Sequence, residues 1–237
     1  MALRIARGGG GRGEPFLIAY RLDRSLAWNA AHVPRLPARP RKLGAERSWR
    51  LFDHRIEAPI GLAAGPLPTS RWIEAYARLG YGLLTYGTVR TQERAALPHP
   101  NLVFCRATDP AVVEPRPRKI DPARVTWAVS TGLPSVAPEV WRPDVIRARA
   151  RMRPGQLLVV SVAGTPAPGG DGEQLALDYA QAARWAAEAG ADVIEVHLAG
   201  ANLMAEHAQM VFENHALSAH IAERVRRVVG GRPVVAT

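Results

Sequence analysis

The stretch Pro59-Ile60-Gly61-Leu62-Ala63-Ala64-Gly65 constrains this chain more than any other. It is an apolar run, too short for a helix and bounded by proline and glycine, which reads as a buried strand. Its exit is built from small residues. Gly65 has no Cβ, and Ala63 and Ala64 have almost no side chain, so another group can approach the backbone closely. Thr69 and Ser70 then cap a helix over residues 71–79, and Gly80 closes it. Strand, small-residue mouth and helix make one βα unit with room for a ligand at its top.

The same grammar recurs downstream. Residues 81–89 form a second apolar strand that ends at Gly87 and Thr88. Residues 90–156 interrupt with a long proline-rich excursion, from which a helix starting at Pro138 leads back. Leu157 to Val162 is a third strand, with Ser161 near its exit. A helix from Glu173 to Ala189 is expected to carry Leu177, Ala180, Trp185 and Ala189 on its apolar face and to stop at Gly190. Asp192 to Leu198 is a fourth strand. A helix from about Ala216 to Val229, closed by Gly230 and Gly231, leads into a last strand at residues 233–237. β-Branched strands alternating with capped helices predict an α/β protein with a parallel sheet buried on both faces. An open doubly wound sheet could finish with five strands, whereas a closed (β/α)8 barrel needs eight. Residues 1–50, glycine-rich and then rich in proline and arginine, read as a tail and an extension that wraps the domain; residues 51–237 form the domain itself.

Composition narrows the function classes. A hydrophobic fraction of 47% is ample for a core, and no run approaches the roughly 20 apolar residues of a membrane span. The N-terminus lacks the long apolar segment of a secretory signal. Cys105 is the single cysteine, so no internal disulfide or cysteine metal cluster forms, and a small buried apolar role suits it. A reducing cytoplasm is the default expectation. The formal net charge of +10 invites a nucleic-acid partner, but Lys42 and Lys119 are the only lysines and the arginines are mostly scattered, which fits a solvated basic surface better.

In order along the chain, residues 59–65, Leu79 to Val89, Pro98-His99-Pro100, Ser130 to Ser135 and Glu188 to Leu198 resemble the dihydroorotate dehydrogenases. These are FMN-dependent (β/α)8 barrels that oxidise dihydroorotate in pyrimidine synthesis. The resemblance runs from about residue 51 to 237 and covers the family's first five strands. It implies a TIM-barrel type fold that is incomplete, with about five of its eight strands present. It also implies FMN as cofactor, with Ala63, Ala64, Gly65, Gly87, Thr88, Ser161 and His197 against the flavin. A pyrimidine-like small molecule would lie against Ser130, Gly132, Leu133, Pro134 and Asn202. A homo-oligomer is left open as a further association.

Three departures accompany the resemblance. Val129 stands where the family places a substrate-binding asparagine, and a site built around such hydrogen bonds discriminates strongly through them. Gly200 occupies the position of the family's catalytic base and cannot accept a proton. His197, in place of a flavin-contacting asparagine, is the candidate replacement base because its titration range suits the task. The chain ends at Thr237, where the family has a lysine that contacts the flavin. Strands six to eight, whose loops hold the flavin phosphate in such barrels, are not represented, so weak FMN binding and poor stability are expected of these residues alone. His99, His207, His215 and His220 read as solvated. Two alternatives stand beside the flavoenzyme: a degenerate barrel that binds a ligand or partner without redox chemistry, and an RNA-acting flavin barrel of the dihydrouridine synthase kind.

Overall fold

The computed structural model describes residues 24–33, 49–65, 67–98, 101–109, 112–115, 126–199 and 210–237. After helix α1 (Leu26–Ala31), strands β1 (Trp49–Leu51) and β2 (His54–Ile56) form an antiparallel hairpin. Five parallel strands follow in one sheet: β3 (Gly61–Leu62), β4 (Leu83–Val89), β8 (Leu157–Val162), β9 (Val193–Val196) and β10 (Val234–Ala236). The intervening labels belong to β5 (Leu102–Asp109), β6 (Val112–Pro115) and β7 (Thr126–Val129), a separate antiparallel sheet ordered β6-β5-β7. Helices α2 (Ser70–Arg78), α3 (Pro138–Arg151), α4 (Gly172–Glu188) and α5 (His215–Val228) connect the parallel strands in turn.

The order of the sheet decides between the two architectures open to the sequence. Its strands run β10-β9-β8-β4-β3, so each parallel strand lies beside its neighbour in the chain. A doubly wound sheet reverses its order at a switch point; this one steps in a single direction, as a barrel wall does. The chain is therefore of (β/α)8-barrel type with five of eight parallel strands.

Side chains on the two faces of this wall separate cleanly, because successive residues of a strand point to opposite sides. Leu84, Tyr86, Leu158, Val160, Ile194 and Val196 pack outward against Trp72, Ile73, Trp141, Val145, Tyr179, Ile221 and Val225 of the helices. Leu157, Val159 and Val193 face inward, together with Leu83 and Val235. Leu51 and Ile56 of the β1–β2 hairpin join this inner cluster, and Glu57 N donates to Gly155 O at 2.9 Å, so the hairpin covers the N-terminal end of the wall. Gly82 shows how tightly β4 is seated: a Cβ there would lie 2.0 Å from the carbonyl oxygen of Ala58.

Two sequence expectations are refined. Helix α2 follows Thr69 as expected, but Thr69 makes no side-chain cap bond. Asp144 of α3 caps the helix instead, accepting from Ser70 N and Ser70 Oγ, each at 2.7 Å. On α4, Leu177 is half exposed rather than core. The buried stripe runs through Leu175, Ala176, Tyr179, Ala180, Ala183, Ala186 and Ala187; Leu177, two residues from Leu175 and Tyr179, is turned about 200° from either on a 3.6-residue helix. The proline-rich excursion turns out to hold the three-stranded sheet, which leads from β4 to the loop at Ser130. Part of the N-terminal extension docks on the domain through α1, whose Asn29 is fully buried and accepts from Trp72 Nε1 at 2.8 Å through its carbonyl oxygen. The Cys105 side chain lies outside the described set. No helix among the described residues is long and apolar enough to cross a membrane.

Candidate functional site

Because the strands are parallel, all their C-terminal ends emerge on one side, where barrel sites form. The exits there are Ala63-Ala64-Gly65 after β3, Gly87-Thr88 on β4, Ser161 on β8, His197 after β9 and Thr237 after β10. Hydrogen bonds join these exits into one rim. Gly65 N donates to Gly87 O at 3.2 Å, and Thr88 Oγ1 lies 3.3 Å from Ser161 Oγ. His197 Nδ1 lies 3.1 Å from Thr237 Oγ1, while His197 N donates to Val162 O at 2.9 Å. Tyr179 of α4 donates its hydroxyl to His197 O at 2.8 Å, fixing that residue's backbone from the outer layer. The candidates at the strand ends are thus brought together.

Their surroundings give them distinct chemistry. Burial pushes the His197 imidazole below its ordinary 6.5, and Arg90 adds to this, while Glu195 opposes it. His197 is therefore neutral at neutral pH, and its Nε2 makes no hydrogen bond with any described residue. Such a nitrogen can accept a proton. Ser161 is fully buried, with its hydroxyl turned toward Thr88.

Glu195 lies one level below His197 on the same face of β9. It is in register with Ser161, which is in register with Gly87. Residue alternation puts it on the inward side with Val193. It was not among the sequence candidates, although an acidic residue inside the run Val193-Ile194-Glu195-Val196 was a visible signal.

The loop of Ser130, Gly132, Leu133 and Pro134 continues from β7. Ser130 N donates to Asn101 O at 2.9 Å, Leu97 N to Thr131 O at 2.9 Å, and Arg94 forms an antiparallel bridge with Ser135. Gly132 and Leu133 both take left-handed backbone, with φ of 82° and 48°; the second is uncommon for a leucine. Arg90, directly after β4 and fully buried, holds this turn. Its Nε donates to Leu133 O at 3.0 Å, its N to Ser135 Oγ at 3.1 Å, and its Nη1 to Gly164 O and Thr165 Oγ1. Burial lowers the Arg90 pKa to about 10, with Arg94 adding to the effect. Sequence inspection also missed Arg90, because a lone arginine in a basic chain carries no signal. Asn202 and Gly200 lie outside the described residues, as do His99 and His207. His215 is exposed, whereas His220 contacts Glu173 between α4 and α5.

The mouth is open at Gly65. A Cβ on Gly65 would meet nothing within 4 Å, which leaves open space against the backbone of Ala63 to Gly65. The same ends of the strands carry the hydroxyls of Thr88, Ser161 and Thr237, the His197 imidazole and the Glu195 carboxylate, a donor and acceptor set suited to a polar group. A separate hollow of about 300 Å³, lined by His54, Arg55, Arg149, Arg153 and Asp192, lies at the N-terminal ends of the strands, away from this mouth. Among the described residues no cluster of three or more His, Cys, Asp or Glu could hold a metal ion.

No protein-family model matches the chain. Among curated proteins, a dihydroorotate dehydrogenase of Dictyostelium discoideum is 28% identical over 172 residues, covering 67% of this chain and 45% of the relative. In sequence the chain resembles a dihydroorotate dehydrogenase over two thirds of its length. Among solved structures, the ligand-free dihydroorotate dehydrogenase of Eimeria tenella superposes with a TM-score of 0.57 at 18% identity, over 81% of this chain and 48% of that one. The same organism's dihydroorotate dehydrogenase in complex with ferulenol gives 0.53 at 16% identity, over 84% and 48%. These likenesses carry the barrel fold. The chain spans a little under half the length of the dihydroorotate dehydrogenases it matches.

Proposed function

We propose that this chain carries the flavin-facing mouth of a dihydroorotate-dehydrogenase-like oxidoreductase, with FMN as cofactor and a dihydropyrimidine-like substrate. The observation that supports it most is the rim itself: five consecutive strand exits join the open backbone at Gly65 to Thr88, Ser161, His197 and Thr237. FMN, when bound, supplies the two-electron acceptor for a hydride. The backbone of Ala63, Ala64, Gly65 and Gly87 offers the flat surface, and the Thr88 and Ser161 hydroxyls offer polar contacts. Ser130, Gly132, Leu133, Pro134 and Asn202 would border the substrate. His197 Nε2 takes the ring proton, the role left vacant by Gly200. A small-molecule partner, with no nucleic acid, suits this mouth, and a homo-oligomer remains compatible with it.

The test is anaerobic. The chain is mixed with FMN and dihydroorotate, and bleaching of the oxidised flavin band is followed across pH. With His197 as base, the rate is level at neutral pH and falls only in acid, at a pH under the ordinary imidazole range, once the imidazole is protonated, and His197→Ala slows it by about 10²–10⁴-fold. A second reading, a ligand-binding barrel without redox chemistry, is favoured by Val129 and Gly200 in the places of the family's asparagine and base. It gains support if FMN binds but dihydroorotate leaves the band unchanged.

A further inference from the structure

Glu195 is 9% exposed, yet its carboxylate makes no hydrogen bond or ion pair with any described residue. Its charge acts on His197, the next inward residue above it, whose imidazole burial holds below its ordinary range. A buried carboxylate with no donor is costly, and an apolar residue of similar volume would be tolerated better at the same place. The neighbouring inward positions on the wall bear this out, since Leu157, Val159 and Val193 lie below it and Val235 beside it in register, all hydrocarbon. The same level carries Gly87 and Ser161, and Thr88 reaches over to Ser161. By register the carboxylate sits at the level of the mouth's floor, with acceptor capacity that no described residue uses.

We infer that Glu195 is a ligand-binding residue whose carboxylate accepts a hydrogen bond from a ring N–H of the heterocycle seated in the mouth. The inference rests on the proposed flavin and pyrimidine reading. Both a flavin and a pyrimidine present such N–H donors, and both lack the anionic edge that a carboxylate would repel if they dock through that side. A hydrogen bond to an ionised acceptor is roughly twice as strong as a neutral one, so a ring docked there is oriented as well as held. Ser161 and Thr88, whose hydroxyls both donate and accept, can serve the ring's carbonyl oxygens beside it.

Glu195→Leu separates this role from a structural one, because it moves stability and binding in opposite directions. The unliganded variant is expected to unfold at higher denaturant than the parent. FMN and orotate are then titrated separately, by flavin fluorescence and by calorimetry, with Glu195→Gln, which keeps the shape and one acceptor, in parallel. The inference expects at least a tenfold loss of affinity for one probe in Glu195→Leu and a smaller loss in Glu195→Gln. Loss of FMN identifies the flavin as the donor, and loss of orotate alone identifies the substrate ring. If the leucine variant is destabilised, or binds both probes as the parent does, Glu195 is structural and the inference fails while the proposed function stands. If the parent binds neither probe, the proposed function fails and takes the inference with it.

Discussion

Replacing Asp144 by alanine is expected to destabilise the fold by about 4 kcal/mol, read as a fall in the denaturant midpoint at unchanged slope. Asp144 is where three elements meet. It accepts from the amide and hydroxyl of Ser70 at the start of α2, from Tyr86 Oη on β4 at 2.9 Å, and from Arg147 one turn along α3 at 3.0 Å. Tyr86 and Ser70 are buried, so removing their acceptor strands three donors away from water, each costing about 1–3 kcal/mol. The exposed Arg147 contributes little to this total.

Burial raises the Asp144 pKa, but the hydrogen bonds from Ser70, Tyr86 and Arg147 outweigh it and hold the carboxyl below its ordinary 3.8. The Tyr86 hydroxyl is driven well above 10.0, by burial first and then by the charge of Asp144. An acid whose pKa is depressed by folding stabilises the fold fully above its unfolded value and loses that contribution as pH falls through the folded one. The parent should therefore lose stability below about pH 4. Asp144→Asn, whose amide points a donor at other donors, should be less stable at neutral pH and flatter in acid. An Asp144→Ala variant within 1 kcal/mol of the parent would show that water satisfies these groups.

Arg90→Ala is the second large effect, about 3 kcal/mol overall, with a larger local consequence at the loop of residues 130–135. The substitution opens a cavity beside Trp141, whose indole N–H is bonded to Arg90 O at 3.0 Å, and removes the donors to Leu133 O, Gly164 O and Thr165 Oγ1. Leu133 holds left-handed backbone that a leucine rarely adopts, so the turn depends on outside support. Hydrogen exchange at the Ser135 and Leu97 amides, which close the loop against residues 94–101, should accelerate by at least tenfold more than exchange in β8. Arg90→Lys should not restore it, because one ammonium cannot reach three acceptors on two segments as the guanidinium fork does. Equal acceleration throughout the sheet would mean that Arg90 supports the fold as a whole and not this loop in particular.

The barrel wall was legible because its signals are local. Continuous runs such as Leu157 to Val162 can only be buried strands, and Gly190 and Gly230 mark the helix ends with φ of 100° and 62°. The small exits at Ala63 to Gly65 and at Gly87 announced a close approach to backbone, and the structure leaves that space open at Gly65. What escaped were features made by distant partners. Asp144 caps a helix that begins 74 residues earlier, and Arg90 meets Gly164 across a similar span. The antiparallel sheet of β5 to β7 was hidden by the prolines scattered through residues 98–134, which suggested irregular chain. Glu195 escaped for another reason: it was counted as one more residue of a strand, when its acidity among Val193, Ile194 and Val196 set it apart.

The claim on which the rest depends is that the strand exits form a flavin seat, and a titration of the purified chain with FMN tests it directly. Saturable quenching of flavin fluorescence, with a half-saturation below about 1 mM and weakened by His197→Ala, is the expected result. Fluorescence that tracks free FMN through about 1 mM, corresponding to less than about 4 kcal/mol of binding, would contradict it.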